Sequence, residues 1–294
     1  MDPVNQRARN VALAGMAASG ALAIAKIWIG LQANSTSAVA DGLESAADVI
    51  TSGVVVLGLM LGARPADEDH PYGHGRYEIL AALGVGILLV LAGVGISGRS
   101  IARIGQDRVI PSAFAVWPVL ISLCVKLGFA TVKMRQGRKM DSAALIADAK
   151  NDSVDVISST VALIALGLTL HDPVRMIEAD HIGGAIVGVI VGVLGFTVIR
   201  DTAGLLVDTM PEPERLAEIR RVAMTVDGAC NIEKCFARKT GMRYHVDLHL
   251  EVDPLLTVRD SHEIARRVKY TLKENLTWVA DVLVHVEPFE ARPK

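Results

Sequence analysis

The stretch Ala40-Asp-Gly-Leu-Glu-Ser-Ala-Ala-Asp-Val-Ile-Thr-Ser52 returns in altered form as Ala147-Asp-Ala-Lys-Asn-Asp-Ser-Val-Asp-Val-Ile-Ser-Ser159. Offsets of three, four and seven residues place Asp41, Glu44 and Asp48 on one face of a helix. The same offsets align Asp148, Asn151 and Asp155 on a second helix. Each copy lies inside a long apolar segment, so two hydrophobic helices each carry a polar stripe, and the stripes are versions of one pattern.

Outward from these two segments the chain shows further apolar runs, giving approximate spans Val11 to Leu31, Ser37 to Leu61, Ile79 to Ile101, Ala113 to Val132, Ala143 to Leu170 and Ile182 to Val207. A helix of about 20 residues crosses about 30 Å of hydrocarbon at 1.5 Å per residue. The chain is 51% hydrophobic with a mean hydropathy of +0.38, too apolar for a soluble domain of its length. The reading is an α-helical membrane protein with six transmembrane helices in residues 1–210. The first run lacks an evident small-residue cleavage site, so a retained first helix is expected rather than a signal peptide. An even number of spans puts both termini on one side. Arg7, Arg9, Arg64, Arg76, Lys133, Arg135, Arg138 and Lys139 fall on that side, against Arg99, Arg103, Arg108 and Arg175 on the other. Positive-inside reasoning makes the N- and C-termini cytoplasmic.

Near Pro211 and Pro213 the texture turns charged. Glu214 to Val226 and Ser261 to Leu276 have helical spacing. Asn231 to Lys239, Arg243 to Val252 and Val282 to Val286 alternate like strands. Residues 211–294 thus read as a small cytoplasmic α+β domain in the order helix, strand, strand, helix, strand, with Gly241 placed for a hairpin turn.

A net charge of −2 excludes a global basic field for nucleic acid. Cys124, Cys230 and Cys235 match no common zinc or thioredoxin spacing and read as free thiols. No nucleophile–base pair, Walker loop or dinucleotide fingerprint is present, so an enzyme is not expected.

An ionisable group at the bilayer centre costs about 2.5–3.5 kcal/mol on insertion scales, so the carboxylates of the two stripes need compensation. Lys150 is the only basic residue within either acidic segment, too few for mutual salt bridging, which points to a bound cation. Two i,i+4 pairs on facing helices, Glu44 with Asp48 and Asn151 with Asp155, make a four-ligand oxygen cage for a hard or borderline divalent ion. Asp41 and Asp148 would position those ligands. Two other readings stand beside this one: acids lining a helix interface or proton wire without metal, and a different register pairing Asp148 with Asp152. In the loop Arg64-Pro-Ala-Asp-Glu-Asp-His-Pro-Tyr-Gly-His-Gly-Arg-Tyr-Glu78, the side chains of Asp67, His70 and His74 suit a zinc-like ion or simply a solvated turn. The C-terminal domain adds His245, His249, His262, His285 and Glu287. His245 and His249 share one strand face with Asp247 and Glu251.

These motifs, with Tyr244-His-Val-Asp-Leu-His-Leu-Glu-Val-Asp253 and Val284-His-Val-Glu-Pro288, resemble the cation diffusion facilitators, proton-coupled divalent metal exporters, over nearly the whole chain. The resemblance implies a homodimer with six helices per subunit and a cytoplasmic ferredoxin-like, metallochaperone-like domain. It implies a transport site at Glu44, Asp48, Asn151 and Asp155, a loop site at Asp67, His70 and His74, and a binuclear site at Glu233, His249, His262, His285 and Glu287. Arg76 and Asp208 match a charge pair joining the subunits' membrane parts. Bacterial zinc exporters of the family usually carry Asp or His at the Glu44 position and commonly His at the Asn151 position. An all-oxygen cage leans toward Mn²⁺ or Fe²⁺, with Zn²⁺ still possible.

The expected function is efflux of such a cation from the cytoplasm in exchange for protons by alternating access, with proton coupling on Glu44, Asp48 and Asp155. The expected location is a bacterial inner membrane. The alternative is a non-transporting membrane metal sensor whose C-terminal domain binds metal and recruits other proteins.

Overall fold

The computed structural model describes residues 3–32, 36–103, 116–171 and 179–290. Some side chains within the helices also lie outside the described set, those of Asp41 and Glu44 among them. The chain forms two compact units. One joins Met1–Pro65 to Arg76–Ala203, and the other joins Ala66–Gly75 to Gly204–Lys294.

The first unit contains six long helices among the described residues: α1 (Pro3–Gln32), α2 (Thr36–Gly62), α3 (Arg76–Arg103), α4 (Val116–Met140), α5 (Ala143–His171) and α6 (Ala179–Leu206). By length and composition, stretches in α1, α3 and α6 (Gln6–Ala25, Arg76–Gly98 and Gly188–Leu206) are long and apolar enough to cross a membrane, and α2 holds a shorter apolar stretch, Asp48–Gly62. The expected boundaries move at both ends of this set. Helix α3 begins at Arg76 rather than Ile79, and α4 runs past Val132 to Met140. The basic cluster from Lys133 to Lys139 is therefore helical, and Lys133 is fully buried rather than part of a cytoplasmic loop.

A tight turn fixes how α4 and α5 pair. Asp141 adopts φ 54°, and the Ser142 amide donates to the Gly137 carbonyl at 2.9 Å. That left-handed closure ends α4 without a linker. Ser142 then caps α5, its hydroxyl accepting from the Leu145 amide at 3.2 Å, and donates to the Glu78 carboxylate at 2.6 Å. Helices α3 and α6 meet through small residues: a Cβ on Gly93 would strike the backbone of Gly188 and Gly192, and one on Gly195 the backbone of Gly86 and Val90. Such close backbone approach is how helices gain packing where water supplies no hydrophobic force between them.

The second unit holds α7 (Pro213–Ala223), β1 (Asn231–Thr240), β2 (Arg243–Val252), α8 (Val258–Asn275) and β3 (Val279–Pro288), the element order read from the sequence. The sheet runs β1-β2-β3, with β1 antiparallel and β3 parallel to β2. Gly241, at φ 65°, closes the β1–β2 hairpin. Alternation along β2 sends Val246, Leu248 and Leu250 into a core with Ile219, Val268 and Leu272, leaving His245, Asp247 and His249 half-exposed on the other face. The loop of residues 66–75 packs on this unit. The Arg238 guanidinium lies over the Tyr72 ring at 5.1 Å, Tyr72 meets the His245 ring edge-on at 5.5 Å, and Gly75 approaches the Thr240 carbonyl too closely for a Cβ.

Candidate metal centres

The echoing stripes are brought together on α2 and α5, and α4 adds a feature the sequence reading passed over. Lys126, on α4, inserts its Nζ between the two stripes, 2.7 Å from Asp48 Oδ2 and 2.8 Å from Asp155 Oδ2. The same nitrogen is 3.4 Å from Asp152 Oδ1. Its side chain is 3% exposed and those of Asp48 and Asp155 are 13% and 15% exposed. Asn151 lies alongside, its Nδ2 donating to Asp48 Oδ1 at 3.4 Å. Asp48, Asn151 and Asp155 therefore converge on one small volume. Glu44, the fourth expected ligand, and Asp41 lie outside the described side chains.

Two turns along, Lys133 repeats the arrangement, 2.8 Å from Asp148 Oδ2 and 2.6 Å from Asp152 Oδ2. Ser52 on α2 donates to Asp148 Oδ1 at 2.9 Å. The result is a charge ladder along the α4–α5 interface in which Asp152 touches both ammonium groups. Asp148 and Asp152, the alternative pair, are thus held by Lys133. The expectation that these carboxylates lack basic partners is corrected: α4 supplies two. The signal was present in the numbering. Lys133 and Lys126 stand seven and fourteen residues before Met140, and Asp148 and Asp155 stand seven and fourteen after Asp141. A hairpin turning at 140–141 must set each lysine against its aspartate.

In the loop, Asp67, His70 and His74 gather their ligand atoms within 4.8 Å of one another. Asp67 Oδ1 accepts from the His70 amide at 2.7 Å and lies 3.1 Å from His70 Nδ1, while Oδ2 lies 3.4 Å from His74 Nε2. Burial pushes the Asp67 carboxyl upward, but the His70 amide and ring and the charge of His74 outweigh it and hold the group below its ordinary value. All three expected loop residues thus face one point.

In the C-terminal domain, His249, His285 and Glu287 form a second such cluster. Parallel pairing sets His249 beside His285. His249 Nδ1 lies 2.6 Å and His285 Nε2 3.6 Å from Glu287 Oε1. Glu233 on β1 and His262 on α8, the other expected members, stand outside this cluster. His245 is engaged with the loop: burial first, then the Arg238 charge, lowers its pKa, which leaves it a neutral ring packed on Tyr72.

The comparisons with known proteins agree with one another. The cation efflux transmembrane domain matches residues 12–207 and the cation efflux protein cytoplasmic domain residues 211–289. The manganese efflux system protein MneP of Bacillus subtilis is 32% identical over 288 residues, covering 97% of this chain and 97% of its own length. Metal tolerance protein C1 of Arabidopsis thaliana is 29% identical, over 93% of this chain and 61% of its own length. A solved MamM-CTD structure is 25% identical across 26% of this chain and 100% of that chain, with a TM-score of 0.26. A helical transmembrane domain followed by a C-terminal domain with a small sheet is the architecture that these two domain matches share with the structure. With both domains and nearly the full length of MneP matched, the chain belongs to the cation diffusion facilitator family, a family of membrane transporters and not of enzymes.

Proposed function

We propose that this chain moves a divalent transition-metal cation out of the cytoplasm in exchange for protons, with Glu44, Asp48, Asn151 and Asp155 holding the ion midway. The observation that carries the reading is the convergence of Asp48 and Asp155, from the two copies of one motif on two helices, on a single nitrogen within 2.8 Å of both. A point where two carboxylates hold a buried ammonium is a point a small cation would occupy, and Asn151, whose amide nitrogen donates to Asp48 Oδ1, would offer its oxygen to the ion once the amide turns. The oxygen-only set favours Mn²⁺ or Fe²⁺ over Zn²⁺, in keeping with the efflux of manganese named for MneP and MneS of Bacillus subtilis. Carboxylate ligands must be deprotonated to bind metal, so protons arriving from the far side compete for Asp48 and Asp155 and drive release.

We place the six helices across the membrane with both termini cytoplasmic. The loop cluster and the His249–His285–Glu287 cluster would be regulatory sites, the latter drawing two subunits' soluble domains together in a homodimer whose membrane parts Arg76 and Asp208 would join. Liposomes reconstituted with the full chain and loaded with a manganese dye and a pH dye test this: Mn²⁺ movement accompanied by opposite proton movement is expected. Proton flux unaffected by Mn²⁺ would refute the exchange. Asn151→His is expected to shift the Mn²⁺-to-Zn²⁺ flux ratio toward Zn²⁺, and an unchanged ratio would remove Asn151 from the ligand set.

A further inference from the structure

Resting on that reading of the site, we infer that Lys126 is a tethered cation that fills the carboxylate site between cargo ions, and that Asp152 is the berth to which its ammonium withdraws when metal arrives. A lysine buried in an apolar helix needs compensation, and Lys126 finds it at the atoms proposed to bind the cargo, Asp48 Oδ2 and Asp155 Oδ2. Metal–oxygen distances of roughly 2.0–2.3 Å put an ion shared by those oxygens inside the space the Nζ now fills. Ammonium and metal therefore exclude each other by volume and by charge.

The ladder offers the displaced group a place to go without leaving the protein. Asp152 Oδ1 is 3.4 Å from Lys126 Nζ, a longer contact than the other two, so a small swing toward Asp152 tightens one ion pair while loosening two. The other oxygen of Asp152 is held by Lys133 at 2.6 Å, and Lys133 is anchored in turn by Asp148. The berth is thus fixed from behind, and its own carboxylate is drawn away from the cargo position. Among the described side chains of the ladder, the four carboxylates Asp48, Asp148, Asp152 and Asp155 face two ammonium groups. When all are ionised, these groups carry a net negative charge even before Glu44 is counted, which suits a cation added without ejecting either lysine. The returning ammonium, charged throughout, helps expel the ion and re-occupies the space between Asp48 and Asp155. Lys126 in this account sets affinity and release rate and is not a ligand.

The test is the concentration dependence of Mn²⁺ flux by the full chain in liposomes at a fixed pH gradient. Lys126→Met is expected to lower KM about tenfold, the loss of a competing cation, and to lower kcat because the ion is no longer pushed out. Lys126→Arg, which keeps the charge, should not lower KM. Lys126→Met removes one positive charge from the buried ladder and risks misfolding, so Lys126→Met with Asp152→Asn, which restores the net charge, is measured beside it and should show the same paired fall in KM and kcat. A KM unchanged or raised in the double variant overturns the inference. If Asp48→Asn still abolishes flux while the double variant keeps the wild-type KM, only the role of Lys126 falls. If Asp48→Asn and Asp155→Asn leave flux intact, the proposed site falls and the inference with it.

Discussion

Lys133 is 0% exposed, as is its partner Asp148. Removing one member of a buried ion pair leaves an uncompensated charge and costs about 3–5 kcal/mol. Lys133→Met is therefore expected to lower the melting temperature of the detergent-solubilised protein sharply, and Lys133→Met with Asp148→Asn to recover most of the loss. Equal melting temperatures for the single and double variants would show that the pair is not coupled. Asp281 illustrates the opposite, exposed case. It lies 2.9 Å from Lys269 and 3.1 Å from Lys273, and although burial raises its pKa, the two lysines lower it further. With the folded value below the ordinary one, its contribution is present above pH of about 4 and fades as pH falls through the depressed value. Partly exposed pairs of this kind contribute about 0–1 kcal/mol, so Asp281→Asn should weaken the C-terminal domain slightly at pH 7 and not at pH 2, as read by urea unfolding. At this scale the sequence revealed Asp48, Asn151 and Asp155 through their repeat, because spacing along one helix is local. It hid Lys126, whose partners are set by another helix and are visible only once the turn between them is known.

The turn between α4 and α5 is the element on which that register depends. Ser142 caps α5 and donates to Glu78, which is 3% exposed. Ser142→Ala is expected to cost about 1 kcal/mol through the lost cap alone, read as a lower melting temperature, and a loss of Mn²⁺ flux out of proportion to that would show that the turn aligns the ladder. Apolar runs located the helices of the membrane unit, but not their ends. Charged residues past an apolar run continue the helix, as Lys133 to Lys139 do in α4, since a polar side chain does not stop a helix when its backbone bonds are made. The strands of the C-terminal domain were legible for the complementary reason: period-two alternation along β2 is set by the core of Val246, Leu248 and Leu250. Leu272→Ala, at a fully buried position of α8, should destabilise that domain by about 2–5 kcal/mol.

Across the whole molecule, the described residues gather candidate metal ligands at three places: the α2–α5 site, the 66–75 loop and the β2–β3 face. The motifs pointed to side chains that the structure brings together at each place, whereas Glu233 and His262 lie outside the group formed by His249, His285 and Glu287, because strand and helix packing, not proximity in sequence, decides which side chains share a point. The account makes the first of these the path of the cargo and the other two its regulators. Mn²⁺ flux into a dye inside liposomes, compared for wild type, Asp48→Ala and Asp155→Ala at equal reconstitution, tests that division most directly. Each substitution is expected to cut flux about 100-fold, the upper end of the roughly 10–100-fold that loss of even a ligand's supporting partner costs, while His249→Ala retains measurable transport. Undiminished flux in both Asp48→Ala and Asp155→Ala would contradict the account.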